Sequence, residues 1–269
     1  MAATPVSINT NMPTLSPLTV QLIIGALIGI GAGFLGAFMV LRRMSLVGDA
    51  LSHVALPGIA LALMFSLNPF LGAFGTLFIG ILGIWLLERR TALPSETLVG
   101  ILFTLSLAVG ILITPEPELL EALFGDLSKV TPVDVLLTAG ALFITIVLIR
   151  RIYRGIILDI VSRDLTRSMG ISVHTINLIF LILVAIIVSL GLKVAGTLLM
   201  GSLVIIPAAA AKNVSSSLRD YVVVSAFFGA LCSITGILLA RYFSLPPGPM
   251  VVLTGGALFA GTLLLKQKK

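Results

Sequence analysis

Long apolar runs separated by short polar punctuation make up most of this chain. Nine can be drawn, at residues 18–41, 50–66, 69–87, 96–113, 132–149, 175–192, 194–211, 221–243 and 249–265. A helix crosses a bilayer with about 20 predominantly apolar residues, and ~17 suffice when it stands upright. The pattern therefore predicts an all-α membrane protein, a polytopic bundle of about nine transmembrane helices. The second and third runs are short and are parted only by Leu67 and Asn68, so the count becomes eight if that hairpin is miscounted. Glycines recur inside the first run at positions 25, 29, 31, 33 and 36. In lipid such small residues let helix backbones approach closely.

Composition agrees with this pattern. Of 269 residues, 58% are hydrophobic and only 10% charged, against about 25% charged in soluble domains. Mean hydropathy is +1.18. The net charge of +6 would suggest nucleic acid in a soluble chain, but here the charges sit in short loops and describe topology. One set of loops and ends holds fourteen basic residues, including Arg42, Arg43, Arg89, Arg90, Arg150 and Arg151. The opposite set holds three, Lys129, Lys193 and Arg241. The positive-inside rule puts the first set in the cytoplasm. This predicts an outside N-terminus and a cytoplasmic C-terminus, hence an odd number of spans. Residues 1–17 carry no basic residue and no short apolar core; they read as an extracytoplasmic tail, not a signal peptide. Residues 18–265 read as one transmembrane domain and 266–269 as a basic cytoplasmic tail. The single cysteine, Cys232, excludes a disulfide framework within the chain.

Asp49 and His53 stand out in this apolar setting. Ionisable groups at membrane depth are unfavourable by about 2.5–3.5 kcal/mol on insertion scales and usually line a pathway. Four residues apart on a helix, they share one face. A hard carboxylate oxygen and a borderline imidazole nitrogen suit a divalent first-row metal. Two ligands make an incomplete site, which a two-fold partner copy would bring to four. Pro57 has no N–H to offer the His53 carbonyl, whose oxygen could then join a polar site. A helix-stabilising contact near the headgroups is the alternative for the pair. His174, with no acidic residue close in sequence, reads as interfacial.

Two loops are distinctive. The outer segment 114–131 carries Glu116, Glu118, Glu121 and Asp126 against one lysine. In the inner segment 150–174, Ile160, Val161, Leu165 and Met169 alternate with Asp159, Arg163, Asp164 and Arg167 at a period close to 3.6. This predicts a short amphipathic helix over about 159–170, ending at Gly170. Such a helix either lies on lipid or docks a cytoplasmic partner. The chain lacks a G-x-x-x-x-G-K-[ST] loop, so P-loop ATP binding is not signalled, and it lacks H-E-x-x-H and G-x-S-x-G hydrolase motifs.

Five segments, in order, carry a family resemblance. RRMSLVGDALSHVALPGIALAL (42–63), LFGDLSKVTPVD (123–134), LDIVSRDLTRSMGISV (158–173), KVAGTLLMGSLVIIPAAAAK (193–212) and LPPGPMVVL (245–253) resemble the permease subunits of the zinc/manganese/iron ABC importers. The resemblance spans 18–265 and implies the fold of the related vitamin B12 and siderophore importer permeases. It implies a homodimer in a prokaryotic plasma membrane, with separate cytoplasmic ATP-binding subunits and an extracytoplasmic metal-binding protein. The transported ion would be Mn²⁺ or Zn²⁺, with Fe²⁺ also suited to the donors, and no cofactor would be permanently bound. Asp49 and His53 match the family's pathway ligands. Asp159, Arg163, Asp164, Leu165, Met169 and Gly170 would belong to the ATPase-coupling helix, which favours docking over a lipid-lying role. A chelate permease and an ATP-independent metal transporter or channel are the alternatives; neither requires an enzyme activity in this chain.

Overall fold

The computed structural model describes residues 16–91, 93–113, 125 and 127–266. The tail before Ser16, the acidic residues Glu116, Glu118, Glu121 and Asp126, and residues 267–269 lie outside the described set. The described residues form helices only: α1 Pro17–Leu41, α2 Ser45–Val54, α3 Leu56–Met64, α4 Pro69–Arg90, α5 Ser95–Ile113, α6 Pro132–Val161, α7 Arg163–Ser168, α8 Val173–Val214, α9 Leu218–Phe243 and α10 Pro247–Lys266. Start signals are written in the sequence. Ser16, Asn68, Thr131, Ser172 and Ser217 each cap a helix N-terminus through their side chains, and prolines occupy the first turn of α1, α4 and α6, where the missing N–H is harmless.

Eight described helical stretches are long and apolar enough to cross a membrane, and Met200–Val214 is a ninth, shorter apolar helix. The doubtful hairpin is real. Ser45–Met64 is one span, and α3 turns into α4 at Phe65–Asn68, with Ser66 at φ 53°. Gly58 and Gly72 meet backbone to backbone across the pair. The helix begins at Ser45, five residues before the run drawn from hydropathy, so Asp49 as well as His53 falls within it.

The bundle has a distinct interior. Pro17–Leu41, Ser45–Met64 and Val173–Leu192 are 67–72% buried, whereas the other five long spans are 17–33% buried. The outer helices present leucine and isoleucine outward, among them Leu112, Ile79 and Leu136, as lipid requires. Because lipid is as apolar as leucine, close packing and not water exclusion holds the interior. At α1 and α9 this is achieved with small residues. A Cβ at Gly29 would strike the Gly229 carbonyl, one at Gly33 the Ser225 carbonyl, and Ser225 Oγ donates to Gly33 O at 2.6 Å.

Helix α8 is two arms. The first, Val173–Leu192, runs antiparallel to α1, since Gly31 packs on Ile187 and Gly191 on Ile28. At Gly196 the backbone adopts φ 70°, ψ 176°, a conformation that is essentially glycine-only. The second arm, Met200–Val214, then returns beside the end of α1, with Gly36 on Val204 and Ala211 clustered with Ala37 and Tyr221. The run 194–211, drawn as a full crossing, is thus a shorter helix descending from within the bundle. Its apex at Gly196 is irregular backbone between two apolar arms, of the kind tolerated in a membrane protein where protein surrounds it or a cavity is lined.

Candidate metal pathway site

Asp49 and His53 sit on one face of α2, and α2 packs on the apex of α8. Asp49 is the fifth residue of its span, about 6 Å of helix rise from the start. A Cβ at position 201 would overlap Asp49 Oδ1, Cβ and Cα, so glycine there is what lets the aspartate seat against α8. Gly201→Ala is therefore expected to displace the carboxylate and lower metal affinity about 10–100-fold, the range for lost ligand-orienting contacts. Isothermal titration of the purified chain, with circular dichroism unchanged, checks this.

Ser52 joins the two elements. Its Oγ lies 2.6 Å from Thr197 O and 2.7 Å from Asp49 O, so its one proton is shared between two carbonyls. Ser52 and Thr197 are fully buried. His53 is also buried, its ring set edge-on to Phe103 with centroids 5.3 Å apart. Among the described residues, His53 Nδ1 and Thr197 Oγ1 have no hydrogen-bond partner. Buried polar atoms are rarely left so, and both can serve an ion. On the Asp49 side of α2 a cavity of about 220 Å³ is lined by Asp49 and Glu96 together with Val47, Val99 and Phe103; His53 adjoins it through its contact with Phe103. Pro57 does interrupt the helix, separating α2 from α3 at Ala55.

Within one chain, no three of His, Cys, Asp and Glu come together as a metal cage among the described residues. His174 stands in the first turn of α8, away from the cavity. Ser52, Thr197, Gly196 and Gly201 were not singled out from sequence as site residues. Their available signal was the glycine spacing in the AGTLLMGS stretch, which marks a break followed by a close approach.

The segment expected as one amphipathic helix from Asp159 is divided. Helix α6 continues to Val161, Ser162 breaks it in extended conformation, and only Arg163–Ser168 forms the short α7. Gly170, at φ 74°, closes the segment as expected. Asp164, Leu165 and Met169 are exposed, but Asp159 points inward. Its Oδ2 is 3.1 Å from Arg42 Nη2, and both side chains are 5% exposed. Arg42 Nη2 also donates to Asn177 Oδ1 at 3.2 Å and its guanidinium stacks over Phe180. Asn177 Nδ2 donates to Glu88 Oε2 and Ser95 Oγ, at 3.0 and 3.2 Å, and Ser95 Oγ donates to Glu88 Oε1 at 2.8 Å. This buried network joins the ends of α1, α4 and α6 to the starts of α5 and α8. It stops one residue short of Glu96 in the Asp49 cavity.

The chain matches the ABC 3 transport family over residues 16–266. It is 29% identical over 252 residues to the manganese import system permease protein ScaB of Streptococcus gordonii, covering 92% of this chain and 91% of that protein. It is 31% identical over 253 residues to the high-affinity zinc uptake system membrane protein ZnuB of Haemophilus influenzae, covering 92% and 97%. Its fold superposes on a chain of PsaBC from Streptococcus pneumoniae, solved in complex with Fab, with TM-score 0.81 and 29% identity over 93% of this chain and 91% of that one. Matched across nearly its whole length in sequence and in fold, the chain belongs to the ABC 3 transport family, the metal-ion importer permeases its motifs resemble.

Proposed function

We propose that this multi-pass membrane chain is the permease of an ATP-driven importer that carries Mn²⁺ or Zn²⁺, and that Asp49 and His53 hold the ion during passage. The observation that carries this reading is the buried, partnerless His53 Nδ1 one turn from Asp49, against a broken helix that supplies Thr197. One chain brings two side-chain ligands. A second copy related by a two-fold axis doubles them, and two aspartates neutralise one divalent cation. The exposed flank of the site fits such a partner: Leu46, beside the cavity, is 65% exposed. The cavity volume of about 220 Å³ favours a bare or partly hydrated ion over a chelate, since drug-sized ligands occupy ~300–1,000 Å³.

In this mechanism an extracytoplasmic binding protein releases the ion to the outer face. The ion exchanges water for carboxylate oxygen and imidazole nitrogen. Exposed Asp164, Leu165 and Met169 contact the ATPase subunit from the cytoplasm, with Arg163 on the same short helix. Hydrolysis then moves α7, and with it the end of α6, so that the pathway opens inward by alternating access. Affinity must select the ion without trapping it. The basic helix ends face the cytoplasm, and the N-terminus lies outside.

The test is reconstitution in liposomes. Uptake of ⁵⁴Mn²⁺ or ⁶⁵Zn²⁺ is expected only when the ATPase subunit, ATP and the binding protein are all present. Entry through the permease alone would replace this reading with an ATP-independent transporter or channel.

A further inference from the structure

A second concavity shares no lining residue with the cavity beside Asp49. It has a volume of about 560 Å³ and is formed by α1, α6 and the start of α9. Phe34, Phe38, Ile146 and Val222 line its apolar part, and Arg150 and Arg219 stand at its rim. Helix α6 runs toward the basic end of the bundle while α9 starts there, so the two arginines arrive at one level from opposite chain directions. Both are exposed, and among the described residues neither has an ion-pair partner. The acid next in sequence is engaged elsewhere: Asp220 Oδ2 is 3.3 Å from Ser216 Oγ and its N–H donates to Ser217 Oγ. Tyr153 closes the same mouth, its ring edge-on to Phe38 at 6.3 Å. Among the described residues no carboxylate lines the crevice.

An apolar crevice between spans, capped by two arginines and a tyrosine at the membrane boundary, matches an anionic phospholipid in both of its parts. The acyl chain fills space that the helices leave open, and the phosphate meets the guanidinium pair. A zwitterionic lipid fits the apolar part but gains less at the rim, because its own ammonium competes for the phosphate. We infer that this crevice is a binding site for one anionic glycerophospholipid, held through Arg150 and Arg219.

The experiment uses the permease assembled with its ATPase subunit, delipidated in detergent and offered phosphatidylglycerol or phosphatidylcholine, with retained lipid read by native mass spectrometry. Phosphatidylglycerol is expected to be preferred roughly 30-fold, about what two basic residues near an anionic surface provide. Arg150→Gln with Arg219→Gln should bring that preference close to unity. Arg150→Lys with Arg219→Lys should keep most of it, and Arg89→Gln with Arg90→Gln, at the end of α4, should leave it intact. Equal retention of both lipids, or an unchanged preference in the glutamine variant, overturns the site. Displacement of the lipid by millimolar inorganic phosphate identifies a simple anion site and also overturns it. So does loss of the ATPase from the glutamine variant with lipid preference retained, which would assign the crevice to the protein partner.

Discussion

Asp49→Asn in the assembled transporter is expected to reduce Mn²⁺ or Zn²⁺ uptake at least ~100-fold, beyond the 10–100-fold range found when only a ligand's supporting contact is lost. His53→Ala should do the same. The carboxamide keeps the size of Asp49 and still fits beside Gly201, so the fold has no reason to change. What is lost is negative charge where a divalent ion must shed water. In the proposed two-copy site, removing it from both copies would leave the doubly charged ion in a low-dielectric setting with neutral donors only. His53→Ala removes the nitrogen donor and leaves a void against Phe103. Radioactive metal uptake, with gel filtration confirming the permease–ATPase assembly, separates transport from folding. Near-normal uptake by both variants would exclude the pair from the pathway.

Arg42→Ala is expected to destabilise the bundle by on the order of 3–5 kcal/mol, the usual consequence of removing one member of a buried ion pair. Asp159 is 5% exposed and 3.1 Å from the guanidinium, so its carboxylate would lose a counter-charge in a place water hardly reaches. Asn177 would lose its contact to Arg42 as well. Replacing both charges, as Arg42→Met with Asp159→Leu, should recover much of the loss, because an apolar pair leaves no stranded charge. Thermal unfolding in detergent reads the effect, with a drop of about 10 °C for the single variant. A single variant as stable as the parent, or a double variant worse than the single, would mean the pair does not hold these helix ends together.

This network also explains one departure from the sequence reading. By periodicity, Asp159 belongs to the charged face of an amphipathic helix that starts there. Nothing local distinguishes a carboxylate facing the cytoplasm from one facing an arginine 117 residues earlier. The partner is supplied by the packing of α6 against α1. Ser162 then breaks the helix, leaving Asp164, Leu165 and Met169 as the exposed part of the segment.

Much of the fold was legible because membrane insertion is a local test. A run of about 20 apolar residues must be helical to satisfy its own backbone, whatever its neighbours do. The apolar helices, the division between the second and third runs at Leu67–Asn68 and the prominence of Asp49 and His53 all follow from that local requirement. The start of the second span differs by five residues because Asp49 lowers local hydropathy although the helix already runs through it.

The sequence by itself determined that this is a helical membrane permease with an acid–histidine pair on one face of a span. Tertiary structure alone decided that α8 folds back at Gly196, that Gly201 makes room for Asp49, and that Ser52 bridges to the Thr197 carbonyl. The physical reason is range. Helix formation and insertion depend on neighbours within a few turns, whereas a close approach between backbones 145 residues apart depends on how whole helices pack, and a glycine in the sequence does not say which partner it will admit.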